Sequence, residues 1–160
     1  MAEVEYFLTI KTIEGESQAM AKAIDVLSWS WGAAQSGTMA YGGGGGAGKA
    51  SVQDFSFSMK ENKASPRLLQ ACLTGEHIAE GTLEARKAGG KPETFLKVVL
   101  KDLLVSSFQT GGSWGDPIPV NQISINFSEI EYEYGTQNNV GAMEKGGAAK
   151  YSVKKNEFKA

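Results

Sequence analysis

Apolar and polar side chains alternate along several stretches of this 160-residue chain. The clearest stretches are residues 4–10, 24–31, 55–59 and 123–134. A period of two, with many β-branched and aromatic residues, is typical of a β-strand that has one buried face. A further segment, residues 94–108, is rich in Val, Leu and Phe and also predicts β structure.

Two of these predicted strands contain irregularities. Lys101-Asp102 interrupts the segment 94–108, which therefore holds either a bend or two strands. In the last strand the apolar positions change phase at Ser128-Glu129, which predicts a β-bulge or a strand that crosses from one sheet to another. The alternating apolar residues are Ile123, Ile125 and Phe127 before the change and Ile130, Tyr132 and Tyr134 after it.

The strand predicted over residues 24–31 separates two kinds of side chain. One face carries Leu27, Trp29 and Trp31, and the other carries Val26, Ser28 and Ser30. Tryptophans at strand spacing belong to a core more often than to a sugar-stacking platform, so we expect the first face to be buried. A glycan-binding barrel that uses Trp114 and nearby loops stays open as an alternative function.

The segment ASPRLLQACLTG, residues 64–75, predicts the one convincing helix. Ser65 suits the N-cap, Pro66 the first helical position and Gly75 the C-terminal cap. Its apolar stripe consists of Leu68, Leu69, Cys72 and Leu73. A short helix with a single apolar stripe is expected to lie on the flank of a sheet, and Cys72 is then a packing residue rather than a nucleophile.

Many strands, one helix and 20 glycines favour a mainly β protein, an antiparallel barrel or sandwich. The length suits a single domain, residues 1–160. We expect residues 1–135 to form the barrel, with the helix near residues 65–74 on its flank. Residues 136–160 form a Gly- and Lys-rich C-terminal segment.

The charge and the cysteine content limit the classes of function that the sequence supports. The net charge of −2 argues against a general nucleic-acid binder, although residues 141–160 carry five lysines and only two glutamates. One cysteine excludes an intrachain disulfide and suits the reducing cytosol. The acidic start MAEVEYFLTIK does not resemble a signal peptide, and no stretch reaches the roughly 20 apolar residues of a membrane helix.

The stretch YGGGGGAGKAS contains most of a phosphate-binding loop, because residues 43–49 read G-x-x-x-x-G-K. That loop requires Ser or Thr after the lysine to coordinate Mg²⁺, and it must open a helix that faces the phosphates. Here Ala50 follows the lysine, and the pattern after it predicts a strand. The stretch therefore does not predict a nucleotide-hydrolysing enzyme.

Candidate catalytic residues are few. His77 is the only histidine, and no second histidine or cysteine lies near it in the sequence to complete a metal site. Glu129, Glu131 and Glu133 occupy one strand face, where a solvated outer surface is the more common role than a metal or acid–base site. We expect no enzymatic activity and no cofactor or metal.

The chain resembles the haemolysin-coregulated protein (Hcp) family, which forms the tube of type VI secretion. The resemblance is carried in order by GES, IDVLSWSWG, QSGTMAYGGGGGAGK, QDFSF, ASPRLLQAC, TGEHI, RKAGG, LVSSFQTGGS and INFSEIEYEY. The segment between Ser17 and Ile24 is short and lacks a histidine often present there, and the tail after Gly135 matches only loosely. Nearly the whole chain takes part, so the succession is specific.

The resemblance implies a barrel of two β-sheets with a flanking helix, assembled as a hexameric ring. Rings stack into a tube that carries effectors in its lumen, is capped by a spike (VgrG-like) protein and is expelled by a contracting sheath. It implies cytoplasmic assembly followed by secretion, without membrane insertion or nucleic-acid binding. The ring-stacking loop is then Tyr41, Gly42, Gly43, Gly44, Gly45, Gly46, Ala47, Gly48 and Lys49, and we expect Ser28 and Ser30 to face the lumen and its cargo.

Overall fold

A computed structural model describes residues 3–36, 50–88, 93–137, 143–155 and 157–158. The one helix within these ranges is α1, Ala64–Thr74. The strands are β1 (Val4–Ile10), β2 (Ile24–Val26), β3 (Ser28–Ser30), β4 (Ala33–Gln35), β5 (Ala50–Val52), β6 (Phe55–Lys60), β7 (His77–Lys87), β8 (Thr94–Gly111), β9 (Val120–Gln137), β10 (Met143–Ser152) and β11 (Glu157–Phe158).

Nine strands form one antiparallel sheet that nearly closes into a barrel, which confirms the predicted fold class. The strand order is β11-β10-β9-β8-β7-β1-β2, and β6 pairs with β9 while β3 pairs with β6. Because β2 and β3 are consecutive in the chain, they bring the two ends of this order together. Strands β4 and β5 form a separate two-stranded antiparallel sheet.

The prediction of one strand over residues 24–31 is wrong, because the chain changes partners at Leu27. Strand β2 pairs with β1, whereas β3 pairs with β6. At the junction the Leu27 N–H donates to the Ser58 carbonyl at 2.8 Å, and the side chain of Leu27 is 50% exposed. The alternation therefore restarts after Leu27, which does not share the buried face that the pattern predicted.

The core lies between the two halves of the sheet, and α1 covers one side of it. Its largest fully buried side chains include Leu8, Ile24, Phe55, Met59, Leu83, Leu100, Leu103, Ile123 and Ile125. From the helix, Leu68 and Ala71 enter this cluster. Alternate residues of β6 and β9 point into the core. This burial explains the alternation of apolar and polar residues from which the sequence predicted these strands.

The helix is present, but its N-terminus and buried face differ from the prediction. Lys63 occupies the N-cap position without a side-chain cap, and Ser65 lies inside the first turn. Gly75 ends the helix in the left-handed conformation, as predicted. Leu69 and Leu73 are 40% and 77% exposed. The predicted stripe is right for Leu68 and Cys72 and wrong for Leu69 and Leu73. The helix packs through a face turned towards its alanines, whose buried residues are Ala64, Ser65, Leu68 and Ala71.

Strands β8 and β9 bend together, which explains both irregularities. The segment 94–108 belongs to one strand, and Asp102 adopts a positive φ of 54° within it. The β8–β9 register is continuous from Lys101↔Glu129 to Leu103↔Phe127, so Asp102 lies opposite Ser128 without an inserted residue. In each of the two strands, the face that is buried changes at this pair of residues. The phase change is therefore a crossing of the strand between two parts of the sheet.

Candidate functional site

A four-stranded part of the sheet, made of β3, β6, the first half of β9 and the last part of β8, carries an uncharged polar face. The register aligns its side chains in two rows across the four strands. We call these eight residues the polar grid: Ser28, Ser58, Gln122 and Gln109 in one row, and Ser30, Ser56, Ser124 and Ser107 in the other.

The polar grid follows from the alternation of its strands. Phe55, Phe57 and Met59 of β6 are buried, so the two serines between them point to the opposite face. In β9 the same alternation buries Ile123 and Ile125. A register shift in β8 between Val105 and Ser107 brings that strand into phase with β9, because it places one extra residue there.

Hydrogen bonds link the grid across its strands. The hydroxyl oxygens of Ser28 and Ser58 lie 2.5 Å apart, and those of Ser56 and Ser124 lie 3.0 Å apart. The grid lines an open groove of about 510 Å³. Neither row contains a charged side chain, so the face offers hydroxyl and amide groups to whatever lies against it.

Charged residues stand only beyond the two rows. At one end the grid is followed by Lys60, the exposed last residue of β6. At the other end the Asp54 carboxylate accepts hydrogen bonds from the Ser106 hydroxyl at 2.6 Å and the Asn126 amide at 3.0 Å. The groove thus has opposite charges at its two ends and a neutral middle.

The structure places Ser28 and Ser30 together on this face, both exposed. Trp29 turns to the other side, with its ring 5.8 Å from Tyr6 and 6.1 Å from Phe55 between centroids. Both Trp29 and Trp31 are partly buried against the core, as predicted. The sequence reading missed the other six grid residues, although the same Ser and Gln alternation in β6 and β9 could have indicated four of them.

The predicted ring-stacking loop, Tyr41 to Lys49, lies outside the described residues. The strands that flank it are β4 and β5, paired from Ala33↔Val52 to Gln35↔Ala50. The other aromatic candidate, Trp114, is fully exposed in the turn between β8 and β9 and lies apart from the two packed tryptophans.

The prediction that the glutamates of β9 form a solvated outer face is wrong for Glu131. Its side chain is only 20% exposed and lies 3.1 Å from Lys101 Nζ and 4.0 Å from Lys150 Nζ. The hydrogen bond to Glu131 raises the pKa of Lys101. Lysines from β8 and β10, the strands on either side, cover this carboxylate, whereas Tyr132 and Tyr134 are 38% and 48% exposed.

His77 contacts an acidic residue, but the pair is exposed. Its Nδ1 lies 3.4 Å from Asp102 Oδ1, and the Ser128 hydroxyl donates to Asp102 Oδ2 at 2.9 Å. The Ser128 hydrogen bond, followed by that of His77, lowers the pKa of Asp102. The serine bonds the carboxylate and not the imidazole, so this is not the arrangement of a nucleophile and its base.

Three further observations concern the described residues. Across residues 3–36, 50–88, 93–137 and the C-terminal strands, no three His, Cys, Asp or Glu side chains converge as metal ligands would. Cys72 is half-buried against the core. Within the same residues, no helix has the length and apolar character needed to cross a bilayer.

Comparison with known proteins decides the family. The family described as "Type VI secretion system effector, Hcp" matches residues 7–134. The protein hcp1 of Pseudomonas aeruginosa is 44% identical over 151 residues, which cover 92% of this chain and 93% of the relative. The chain belongs to the Hcp family. Its members are type VI secretion proteins, and the resemblance noted in the sequence is confirmed.

Solved structures agree with the Hcp assignment. One described as a type six secretion system protein superposes with a TM-score of 0.91 at 27% identity, covering 98% of this chain and all of that one. Hcp1 from Salmonella typhimurium superposes with a TM-score of 0.79 at 33% identity, covering 99% and 100%. The Hcp fold described above therefore extends over essentially the whole chain.

Proposed function

We propose that this Hcp chain is the structural subunit of a type VI secretion tube. Six copies form a ring, the rings stack, and the polar grid lines the lumen where effectors are carried. The observation that carries this proposal is the four-stranded sheet with an uncharged polar face and two unpaired edges. A surface with these properties suits passage of varied cargo, because it offers hydrogen bonds without a fixed charge.

The two edges support ring closure. Within the described residues β3 pairs only with β6. On the far side, β8 pairs with β7 as far as Leu104, so its residues 105–111 have only β9 as a partner. Unpaired edges attract further strands, and two different edges on opposite sides make a heterologous contact, which is the type that cyclic rings need.

The remaining partners follow from the same role. Effectors lie against the polar grid, a spike (VgrG-like) protein closes the tip of the tube, and a sheath surrounds the tube. The subunit assembles in the cytoplasm and leaves the cell by the type VI route. The loop from Tyr41 to Lys49 contributes to stacking, because its glycines let it take the conformation that a neighbouring ring imposes.

Native mass spectrometry of the purified chain tests the ring. We expect a dominant species of six times the 17.0 kDa chain mass. The variant Trp114→Ala should give the same species, since that side chain is fully exposed and lies outside both edges. A strictly monomeric protein at micromolar concentration and above would refute the proposal.

A further inference from the structure

The turn between β8 and β9 presents a tryptophan to solvent. Trp114 has a relative exposure of 105%, the highest value among the large apolar side chains of the described residues. Tryptophan is highly buried on average in folded proteins, so a fully exposed indole is unusual. The proposed tube function does not use this side chain.

The turn that carries Trp114 has a defined backbone conformation. The Asp116 N–H donates to the Ser113 carbonyl at 3.1 Å, which closes a β-turn. Trp114 and Gly115 are its two central residues, and Gly115 has a φ of 93°. A positive φ at the third position is the mark of a type II turn and favours glycine there. The indole therefore projects from the tip of a regular turn.

The base of the same loop is anchored to the sheet. Pro117 and Pro119 restrict the backbone after the turn, because the proline ring fixes φ. The N–H of Glu61, which follows β6, donates to the Pro119 carbonyl at 2.9 Å. On the other arm of the loop, a Cβ atom at Gly112 would lie 3.9 Å from two carbons of the Pro119 ring. A ligand at the turn thus meets a preorganised indole, which lowers the entropy cost of binding.

The surroundings of the indole in the turn are polar and acidic. Residues 112–116 read GSWGD, so the neighbours of Trp114 in the chain are small or hydrophilic. The Asp116 side chain is exposed and has no hydrogen bond or ion pair within the described residues. Residues 112–119 contain no lysine or arginine. The turn therefore offers one apolar plane and one available carboxylate.

We propose that residues 113–116, which we call the tryptophan turn, bind a neutral sugar ring of a polysaccharide. A pyranose has a face of C–H groups that packs on an aromatic plane, and its equatorial hydroxyls point outward as hydrogen-bond donors. The C–H face lies on Trp114, and two neighbouring hydroxyls donate to the carboxylate oxygens of Asp116. The site goes beyond the proposed tube function and does not depend on it, since a ring only supplies several copies of the same turn.

Other classes of ligand fit the tryptophan turn less well. Nucleic-acid bases stack on aromatic side chains, but their phosphates need cations, and Asp116 repels them. An anionic membrane surface likewise attracts basic segments, which this loop is not. A stable protein interface buries about 800 Å² on each partner, whereas one tryptophan buries roughly 150–250 Å². A neutral sugar requires neither positive charge nor a wide apolar surface.

Tryptophan fluorescence of the purified protein tests for the site. Chitotriose, cellotriose and maltotriose are titrated separately. We expect at least one of them to shift the emission saturably to shorter wavelength, because stacking removes the exposed indole from water. The dissociation constant should be on the order of 1 mM. Trp29 and Trp31 are partly buried against the core and should give a constant background. If none of the three sugars produces a saturable shift, the proposal is overturned.

Asp116→Ala keeps the indole and tests the hydrogen-bonding half of the site. We expect the dissociation constant to rise about tenfold, the effect of losing a hydrogen bond to a charged group. Tyr134→Ala is the matched control, because it removes another exposed aromatic side chain, on β9, and should leave the constant unchanged. If Asp116→Ala has no larger effect than this control, the carboxylate does not take part and the assigned site is wrong.

Trp114→Ala removes the fluorescent reporter together with the stacking surface, so this variant is compared by retention on an insoluble polysaccharide. The polymer is that of the trisaccharide that binds best. In the proposed hexamer six turns act together, which raises the apparent affinity by roughly 10²–10⁴. We expect retention to fall about tenfold or more in Trp114→Ala and by less in Trp114→Phe, which keeps a smaller aromatic ring. Equal retention of the parent and Trp114→Ala contradicts the proposal.

The two measurements separate this inference from the proposed tube function. A saturable fluorescence shift without retention on the polymer supports the sugar site and counts against the ring. A hexamer in native mass spectrometry without a fluorescence shift supports the tube and overturns the sugar site. Vesicles of anionic phospholipid should give no shift in the same assay. A shift with vesicles and with none of the sugars would assign the turn to a membrane surface and overturn the proposal.

Discussion

The side chains of Ser30 and its neighbours on the polar grid contribute little to the packing of their own chain. Serine is small, and the hydrogen bonds observed on this face join serine to serine across adjacent strands. Gln109 and Gln122 lie side by side and have no side-chain hydrogen bond within the described residues. The face therefore keeps hydrogen-bonding groups available for a ligand, whereas the opposite face of the same strands provides the packing.

Enlarging one grid residue is predicted to affect cargo and not the ring. In Ser30→Gln the longer side chain extends into the 510 Å³ groove, and in the proposed hexamer six such side chains would narrow the lumen. We expect an unchanged hexamer in native mass spectrometry and reduced co-purification of at least one effector. Ser113→Gln, in the exposed turn between β8 and β9, is the matched control. Undiminished retention of every effector tested would argue against a cargo role for the grid.

Asp102 combines an unusual backbone conformation with a titratable group. Its φ of 54° lies in the left-handed region, which Asn adopts as readily as Asp. Its pKa is lowered because the carboxylate accepts the Ser128 hydroxyl and lies beside His77. A lowered pKa means that the ionised form is favoured by folding. The stabilisation is present above the unfolded pKa and is lost as the pH falls through the folded value.

We therefore predict that Asp102→Asn changes the pH dependence of stability without disturbing the bend. The parent should be more stable than the variant near neutral pH, and the difference should shrink as the pH falls from about 4, the ordinary pKa of an aspartate, through the lowered pKa of folded Asp102. Urea unfolding between about pH 2 and pH 7 measures the difference. If the difference in stability between parent and variant is constant across this pH range, the carboxylate charge of Asp102 is not its cause.

Among the strands and the helix, the sequence predicted the features that depend on the local pattern of residues. The helix, its C-terminal glycine and the phase change in β9 were all predictable, because neighbouring residues determine them. The break at Leu27 and the exposure of Leu73 were not, since they depend on which distant strands pair and where the helix packs. Likewise Ser28 and Ser30 were found by alternation, but their alignment with Gln109 required the register of four strands.

The helix is joined to the sheet by a buried hydrogen bond. Ser65 Oγ donates to Asn121 Oδ1 at 2.6 Å, and it also accepts the Asn62 N–H at 3.1 Å. Both Ser65 and Asn121 are at most 1% exposed. We predict that Ser65→Ala lowers the free energy of unfolding by about 1–3 kcal/mol, because it removes the hydroxyl that donates to the buried Asn121 Oδ1.

Chemical denaturation of the Ser65→Ala variant measures this effect, with Ser113→Ala as the exposed control. The control should change stability by less than about 0.5 kcal/mol, as most surface substitutions do. Equal effects of the two substitutions would mean that the Ser65–Asn121 bond contributes no more than a solvated hydroxyl. Measuring both variants at the same protein concentration keeps the proposed assembly from contributing to the difference.

Two faces of the molecule differ in their content of charged side chains. The polar grid is neutral, while the face that holds Lys101, Glu131 and Lys150 carries cross-strand ion pairs. If cargo lies against the neutral face, long-range electrostatics contribute little to its retention. Binding that depends on hydrogen bonds and shape is screened far less by salt than binding between opposite charges.

Cargo retention is therefore predicted to depend weakly on ionic strength. Between about 0.1 M and 0.5 M NaCl, the fraction of an effector that stays with purified rings should change by less than about twofold. In the proposed hexamer, Gln122→Glu would place six carboxylates in the lumen and should make retention salt-dependent for charged effectors. Strong salt dependence in the parent ring would show that charges outside the grid hold the cargo.

Strands β8 and β9 are each 18 residues long and pass without interruption through both parts of the sheet. A tension or compression applied along these strands is carried by covalent backbone, whereas a subunit made of two separate sheets would carry it through side-chain packing between them. Two features depart from a straight path: the bend at Asp102 and Ser128, which a hydrogen bond of 2.9 Å braces, and the extra residue of β8 between Val105 and Ser107. A continuous backbone path of this kind favours resistance to deformation under mechanical load, which is a property that the proposed tube subunit would need if a sheath expels it.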